Sequence, residues 1–231
     1  MGERTAKGST GRASSGPAFP EAHRRRWNET YRATHYRKLP WFSPRPSDWI
    51  VETVRSGRWR KGARILDVGC GAGSNSLYLA RRGFRVSGID IAEGAIQAAR
   101  ARAIAARRTV DFQVGDVLRL PYPDGEFGGA LDIGCFHTLP ISLRRAFAKE
   151  LARVLKPGAR FVLSFFAREY AGTPGPPHRP SLEEATAALE EEFLFRETRY
   201  GAGFRGPKGG RGAAVYFAVL ERRAGPRPPP M

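Results

Sequence analysis

Cysteine is nearly absent. Cys70 and Cys135 are the two in 231 residues, too few for a disulfide framework and not placed in a metal-ligand cluster. No metal is expected, and a reducing, cytoplasmic setting is. Methionine also numbers two, and lysine six against 33 arginines. The best apolar runs, FVLSFF and AVYFAVL, fall far short of the roughly 20 residues a bilayer span needs. The opening MGERTAKGSTGRASSGPAFP has no apolar stretch, so it does not read as a secretory signal.

Acidic residues are scarce toward both ends. Residues 1–66 hold 15 Lys and Arg against 5 Asp and Glu, and residues 196–231 hold 8 against 2. Residues 67–195 are balanced at 16 against 15, so the net charge of +17 lies in the flanks. Basic flanks can attract RNA, anionic lipid or an acidic substrate. Abundant arginine, alanine and glycine also fit simple compositional drift, so charge alone names no partner.

What is present is one globular core's worth of patterned chain. Residues 1–20 are rich in Gly, Ser, Thr and Pro and read as a disordered tail. RRRWNETYRATHYRKLPWFS sets Trp27, Tyr31, Trp41 and Phe42 among bases, with Trp27 and Tyr31 on one helix face. PSDWIVETVRSG reads as a helix that Ser47 can cap.

From residue 62 strands and helices alternate: ARILDVG, SNSLYLARRG, FRVSGID, AEGAIQAARARAIAARR, VDFQVGD, FGGALDIG, ISLRRAFAKELARVL, a KPGA turn and RFVLSFF. Such alternation implies parallel crossovers and a doubly wound α/β sheet. Ser181 and Glu184 form a capping-box pattern before LEEATAALEEE. FLFRETRY and AAVYFAVLERR follow with no helix between them, so they should pair antiparallel. The expected organisation is a tail at 1–20, a domain at 21–223 with a cap segment at 21–60 and a ligand-binding core at 62–166, loops at 168–180 and 201–212, and a tail at 224–231.

Gly69, Gly71 and Gly73 follow a buried strand and precede a helix, where a ligand can approach bare backbone. The dinucleotide pattern G-x-G-x-x-G puts Ser74 or Ser76 at its third glycine, a poor match. Asp67 stands two residues before the first glycine, where it would repel a pyrophosphate and welcome a cation. Asp90 ends the next strand, where a carboxylate can take two ribose hydroxyls. Adenosine joined to a cationic amino-acid group describes S-adenosylmethionine (SAM) better than a dinucleotide.

ILDVGCGAGSNSLYLARRGFRVSGIDIAEGAIQAAR resembles motifs I and II of class I SAM-dependent methyltransferases. VDFQVGDV, LDIGCFHTLP and ELARVLKPGARFVLSFF resemble the family's next motifs, so the likeness runs unbroken over about residues 62–166. WNETYR and LPWF resemble the entry to the small-molecule branch that includes tellurite-resistance-like and thiopurine-like enzymes. The resemblance implies a Rossmann-like, mostly parallel seven-stranded sheet with an antiparallel C-terminal hairpin. It implies SAM as methyl donor, S-adenosylhomocysteine as product, and a small-molecule acceptor; RNA or protein docked by the flanks, or SAM binding without turnover, are the alternatives.

By the same resemblance Asp90 holds the ribose and Ile91 lies against the adenine. Asp116 faces the adenine amino group and the Val117 N–H a ring nitrogen. Gly69, Cys70, Gly71 and Gly73 run beside the methionine part with Asp67 near its ammonium, and Asp132 and Ile133 close the other side. For Asp132 a structural acid satisfied within its own strand end is an equal reading. His137, past the fourth strand, is the candidate general base, since an unperturbed imidazole titrates near about 6.5. Its alternative is packing under a lid. Tyr31 is a second catalytic candidate, and Trp27, Tyr31, Trp41 and His137 are the substrate-side set. Acceptor choice resides in residues 20–50 and 168–212.

Overall fold

The computed structural model describes residues 16–168, 178–202 and 214–225. Among them seven strands form one sheet in the order β3-β2-β1-β4-β5-β7-β6. β1 (Arg64–Val68), β2 (Arg85–Asp90), β3 (Asp111–Val114), β4 (Phe127–Ile133) and β5 (Leu155–Phe166) are parallel. β6 (Phe193–Ala202) and β7 (Ala214–Arg222) pair antiparallel with each other, and β7 with β5. The central strands are buried on both faces, with Ile65, Leu66, Val68, Ala130, Leu131 and Leu163 at zero exposure. Continuous apolar runs therefore replace the alternation of a one-sided sheet.

The helices follow from the same chain order: α1 (Glu21–Ala33), α2 (Asp48–Arg55), α3 (Ser74–Arg81), α4 (Glu93–Ala105), α5 (Arg144–Val154) and α6 (Leu182–Leu189). The Ser181–Glu184 capping box forms as the pattern requires. Among the described residues no helix is long and apolar enough to cross a membrane.

Several local expectations are corrected. Residues 1–15 lie outside the described residues, but Gly16–Pro20 is not a free tail. Phe19 is buried in the core and its N–H donates to Asp116 Oδ2 at 2.7 Å. KPGA makes its turn inside the span of β5: Leu155 pairs with Phe127, residues 156–159 have no partner on β4, and the continuous pairing begins at Arg160 with Gly129. Gly158, at φ +76, supplies the left-handed residue that such an irregularity requires. ISL forms a short 3-10 turn before α5 begins at Arg144. Ser47 makes no side-chain cap; its backbone N–H goes to Asn75 Oδ1 at 2.9 Å. Most of the two expected loops and the end of the C-terminal tail lie outside the described residues.

The cap is fastened at several points. The Ser43 carbonyl accepts from the Ser74 hydroxyl, and Asn28 Oδ1 accepts the Glu93 N–H at 3.0 Å. The Trp49 ring stacks on Phe217 with centroids 4.4 Å apart. Arg199 lies over both rings and donates to Glu52 Oε2 at 3.1 Å, locking α2 to the β6–β7 edge.

Candidate active site

The turn from β1 to α3 is built by glycines that no other residue could replace without displacement. Gly69, Gly71 and Gly73 have φ of +63°, +53° and +76°. A Cβ on Gly69 would lie 2.4 Å from Cys135 Cβ, because β1 and β4 are neighbours and their C-terminal ends converge there. A Cβ on Gly73 would meet Phe112 at 2.6 Å, so this glycine serves packing and the start of α3.

Asp90 fixes the loop from the side. Its Oδ2 accepts the Gly71 N–H and its Oδ1 the Ala92 N–H, each at 2.9 Å. Two bonds leave the carboxylate further acceptor capacity. Asp67 accepts the Ser76 hydroxyl, and burial pushes its carboxyl up to about 7.

Above these groups lies a cavity of about 1180 Å³ between the strand ends and the cap. That exceeds the roughly 300–1,000 Å³ of a typical small-ligand pocket. Asp67, Gly69, Cys70, Gly71, Asp90, Ile91, Val117 and Ile133 line one part of it. Trp27, Tyr31, Trp41, Phe165, Phe166 and His137 line another. The structure thus brings twelve sequence-derived candidates to one cavity: Asp67, Gly69, Cys70, Gly71, Asp90, Ile91, Val117, Ile133, Trp27, Tyr31, Trp41 and His137.

Three candidates do not reach it. Gly73 packs on Phe112 instead. Both Asp132 oxygens accept backbone N–H groups of the following turn, from Cys135 at 2.8 Å and Phe136 at 3.0 Å, so this acid is a structural cap. Asp116 accepts from Leu118 at 2.8 Å and from Phe19 at 2.7 Å, so the N-terminal arm engages the carboxylate expected to face an adenine, and the acid is not part of the cavity wall.

His137 is not placed as a base. It is 5% exposed, and Nδ1 accepts the Phe166 N–H at 3.2 Å, which leaves the ring proton on Nε2. Burial, with Arg144 and Arg179 nearby, pushes its pKa down to about 3. The neutral ring is a hydrogen-bond donor at Nε2.

This has a thermodynamic sign. Below about 6.5 the unfolded chain takes up a proton on His137 that the folded chain refuses, so its contribution is full above that pH and falls toward 3. Relative to His137→Gln, the wild type should lose about 2 kcal/mol between pH 7 and pH 5. Urea unfolding at the two pH values measures it; a constant difference would contradict the buried neutral ring.

Tyr31 is likewise no base. Its hydroxyl accepts from Trp41 Nε1 at 3.2 Å and lies over Gly71, 3.2 Å from where a Cβ would stand. Burial and the neighbouring Asp90 hold its proton on, well above the ordinary tyrosine range. Sequence reasoning missed Phe19, His23, Arg26, Trp49 and Glu52 as cavity residues. They sit in segments without a motif, and only the helical spacing of His23, Trp27 and Tyr31 could have signalled that they share a face.

Residues 65–158 match the family model described as a methyltransferase domain. An uncharacterized methyltransferase of Schizosaccharomyces pombe is 34% identical over 45% of this chain and 71% of its own. The 2-heptyl-1-hydroxyquinolin-4(1H)-one methyltransferase of Mycobacteroides abscessus is 34% identical over 55% of this chain and 56% of its own. A solved structure with the same fold is the 1,6-didemethyltoxoflavin-N1-methyltransferase of Burkholderia thailandensis, with bound 1,6-didemethyltoxoflavin and S-adenosylhomocysteine. Its TM-score is 0.65 at 19% identity, covering 91% of this chain and 93% of that one. The chain belongs to the class I SAM-dependent methyltransferases, with their seven-stranded Rossmann-like sheet. It spans between 29% and 56% of the first curated relatives that it matches.

Proposed function

We propose that this protein transfers a methyl group from SAM to a small planar acceptor held under its cap. One observation carries the reading: a left-handed glycine loop, pinned by Asp90, opens into the same cavity as an aromatic wall. The volume, above that of a typical single-ligand pocket, supports room for a donor and an acceptor side by side.

The residues present fit the donor. Asp90 has spare lone pairs for ribose hydroxyls, Gly69 and Gly71 offer bare backbone, and Asp67 offers a carboxyl to an ammonium. Ile91 and Val117 give an apolar place for an adenine. Bound there, SAM supplies a methyl group on a sulfonium, open to in-line displacement. The chain's own task is alignment and exclusion of water, and positioning of this kind can supply about 7–11 kcal/mol. His137 Nε2–H and the Tyr31 hydroxyl act as donors that orient the acceptor, while Trp27 and Trp41 cover it. Small-molecule relatives such as the hydroxyquinolone enzyme support this acceptor class, and a cavity roofed by α1 and the Pro40–Pro46 segment suits it better than a nucleic-acid strand. A location in the cytoplasm and a domain that begins near residue 16 rather than 21 complete the proposal.

An acceptor screen with methyl-labelled SAM tests it, spanning small phenols, amines, thiols, metalloid oxyanions and RNA. Label in a small-molecule fraction supports the reading. Label in RNA alone would overturn it.

A further inference from the structure

Arg144 is the largest fully buried side chain among the described residues, at 1% exposure. Nη2 donates to the His178 carbonyl, and the guanidinium lies over the Phe136 ring, 5.2 Å from its centroid. Among the described residues Nε and Nη1 have no hydrogen-bond partner. A buried cation is costly unless paired and fully hydrogen-bonded. This one also opens α5, at the end of a helix where the backbone dipole is positive. The acid that acts on it, Glu184, is already engaged by Arg168 and by the Ser181 N–H at 3.1 Å.

Other basic side chains gather on the same side. The His178 ring stands 6.3 Å from His23, and His23 and Arg26 both line the cavity. Burial, with Arg144, His23 and Arg26, pushes His178 below the ordinary histidine range, and burial with Arg144 and Arg179 does the same to His137. The cavity's lining acids lie elsewhere: Asp67 and Asp90 at the glycine loop, Asp48 and Glu52 on α2, with Glu52 bonded to Arg199. This wall therefore carries the Arg26 cation and no lining acid, with unmet donors behind it and aromatic surface beside it in Trp27, Phe165 and Phe166.

We propose that the acceptor is an aromatic acid whose carboxylate or acidic hydroxyl is recognised by His23 and Arg26, with the two unsatisfied nitrogens of the Arg144 guanidinium behind them. The assignment deepens the methyl-transfer reading and rests on it. An anion answers the excess positive charge, and charge-assisted bonds to arginine are the strong ones. An acceptor that arrives ionised also suits a site whose His137 and Tyr31 donate hydrogen bonds and take no proton.

The test uses the full chain in two stages. S-adenosylhomocysteine is titrated first by calorimetry; absence of binding would refute the underlying methyl-transfer reading by itself. With that nucleoside saturating, tryptophan fluorescence then follows three matched pairs: 4-hydroxyquinoline-2-carboxylate, 1-naphthoate and salicylate, each against its carboxamide. At least one acid should bind about tenfold tighter than its amide, a difference of about 1.4 kcal/mol. Arg26→Gln and Arg144→Gln should each reduce that preference severalfold while leaving nucleoside affinity unchanged, and Arg144→Lys should retain much of it. If nucleoside binds but no acid outbinds its amide, the proposal fails. It fails equally if the preference survives in Arg26→Gln and in a folded Arg144→Gln.

Discussion

Gly69→Ala should lower the melting temperature by about 10 °C. Two costs add at this position. At φ +63 an L side chain is in the left-handed region, at about 1–2 kcal/mol. The new methyl would also meet Cys135 Cβ at 2.4 Å and Sγ at 2.9 Å, and forced overpacking costs about 1–3 kcal/mol. In a chain of this size each kcal/mol shifts the midpoint by about 2–4 °C. Cys135→Gly in the same chain removes the collision but not the backbone cost, so the double variant should regain part of the loss. Calorimetric scans of the three proteins measure both portions. A midpoint within about 2 °C of wild type for Gly69→Ala would mean that the β1 and β4 ends do not converge as described.

Asp90→Ala should weaken SAM about 10- to 150-fold, corresponding to roughly 1.5–3 kcal/mol for a lost charge-assisted bond. The substitution strikes twice, because the carboxylate also holds the Gly71 and Ala92 N–H groups that shape the loop. Asp90→Asn keeps the shape and one oxygen acceptor, and should fall between. Asp132→Ala is the informative contrast. It strips the N–H groups of Cys135 and Phe136 of their acceptor but removes nothing from the cavity wall, so it should reduce stability with little change in SAM affinity. Equal loss of affinity in both variants would contradict the separate roles assigned to the two acids.

Asp90 and Asp132 also mark how far sequence reading reaches. Both end strands that point toward the glycine loop, and spacing alone cannot tell a carboxylate turned to a ligand from one turned back on its own N–H groups. The strand and helix alternation was legible because apolar runs bounded by glycine dictate it, and the antiparallel last pair followed from a missing helix. Phe19 was not legible: its burial depends on a carboxylate 97 residues away. The pairing of His137 with the Phe166 N–H was equally hidden, since it joins residues 29 apart across two strands. A histidine at a strand end suggests a base, and only the neighbour at Nδ1 reveals a donor. His23, Arg26 and Arg144 went unread because one basic residue among many carries no signal until its surroundings in the fold are known.

Methyl transfer itself is the measurement that bears most directly on the central claim. Wild-type protein incubated with methyl-labelled SAM and a small-molecule extract should place label in a small product, and Asp90→Ala should reduce the rate at limiting SAM by about tenfold or more. No label in any small molecule, together with no detectable SAM binding by calorimetry, would contradict the account.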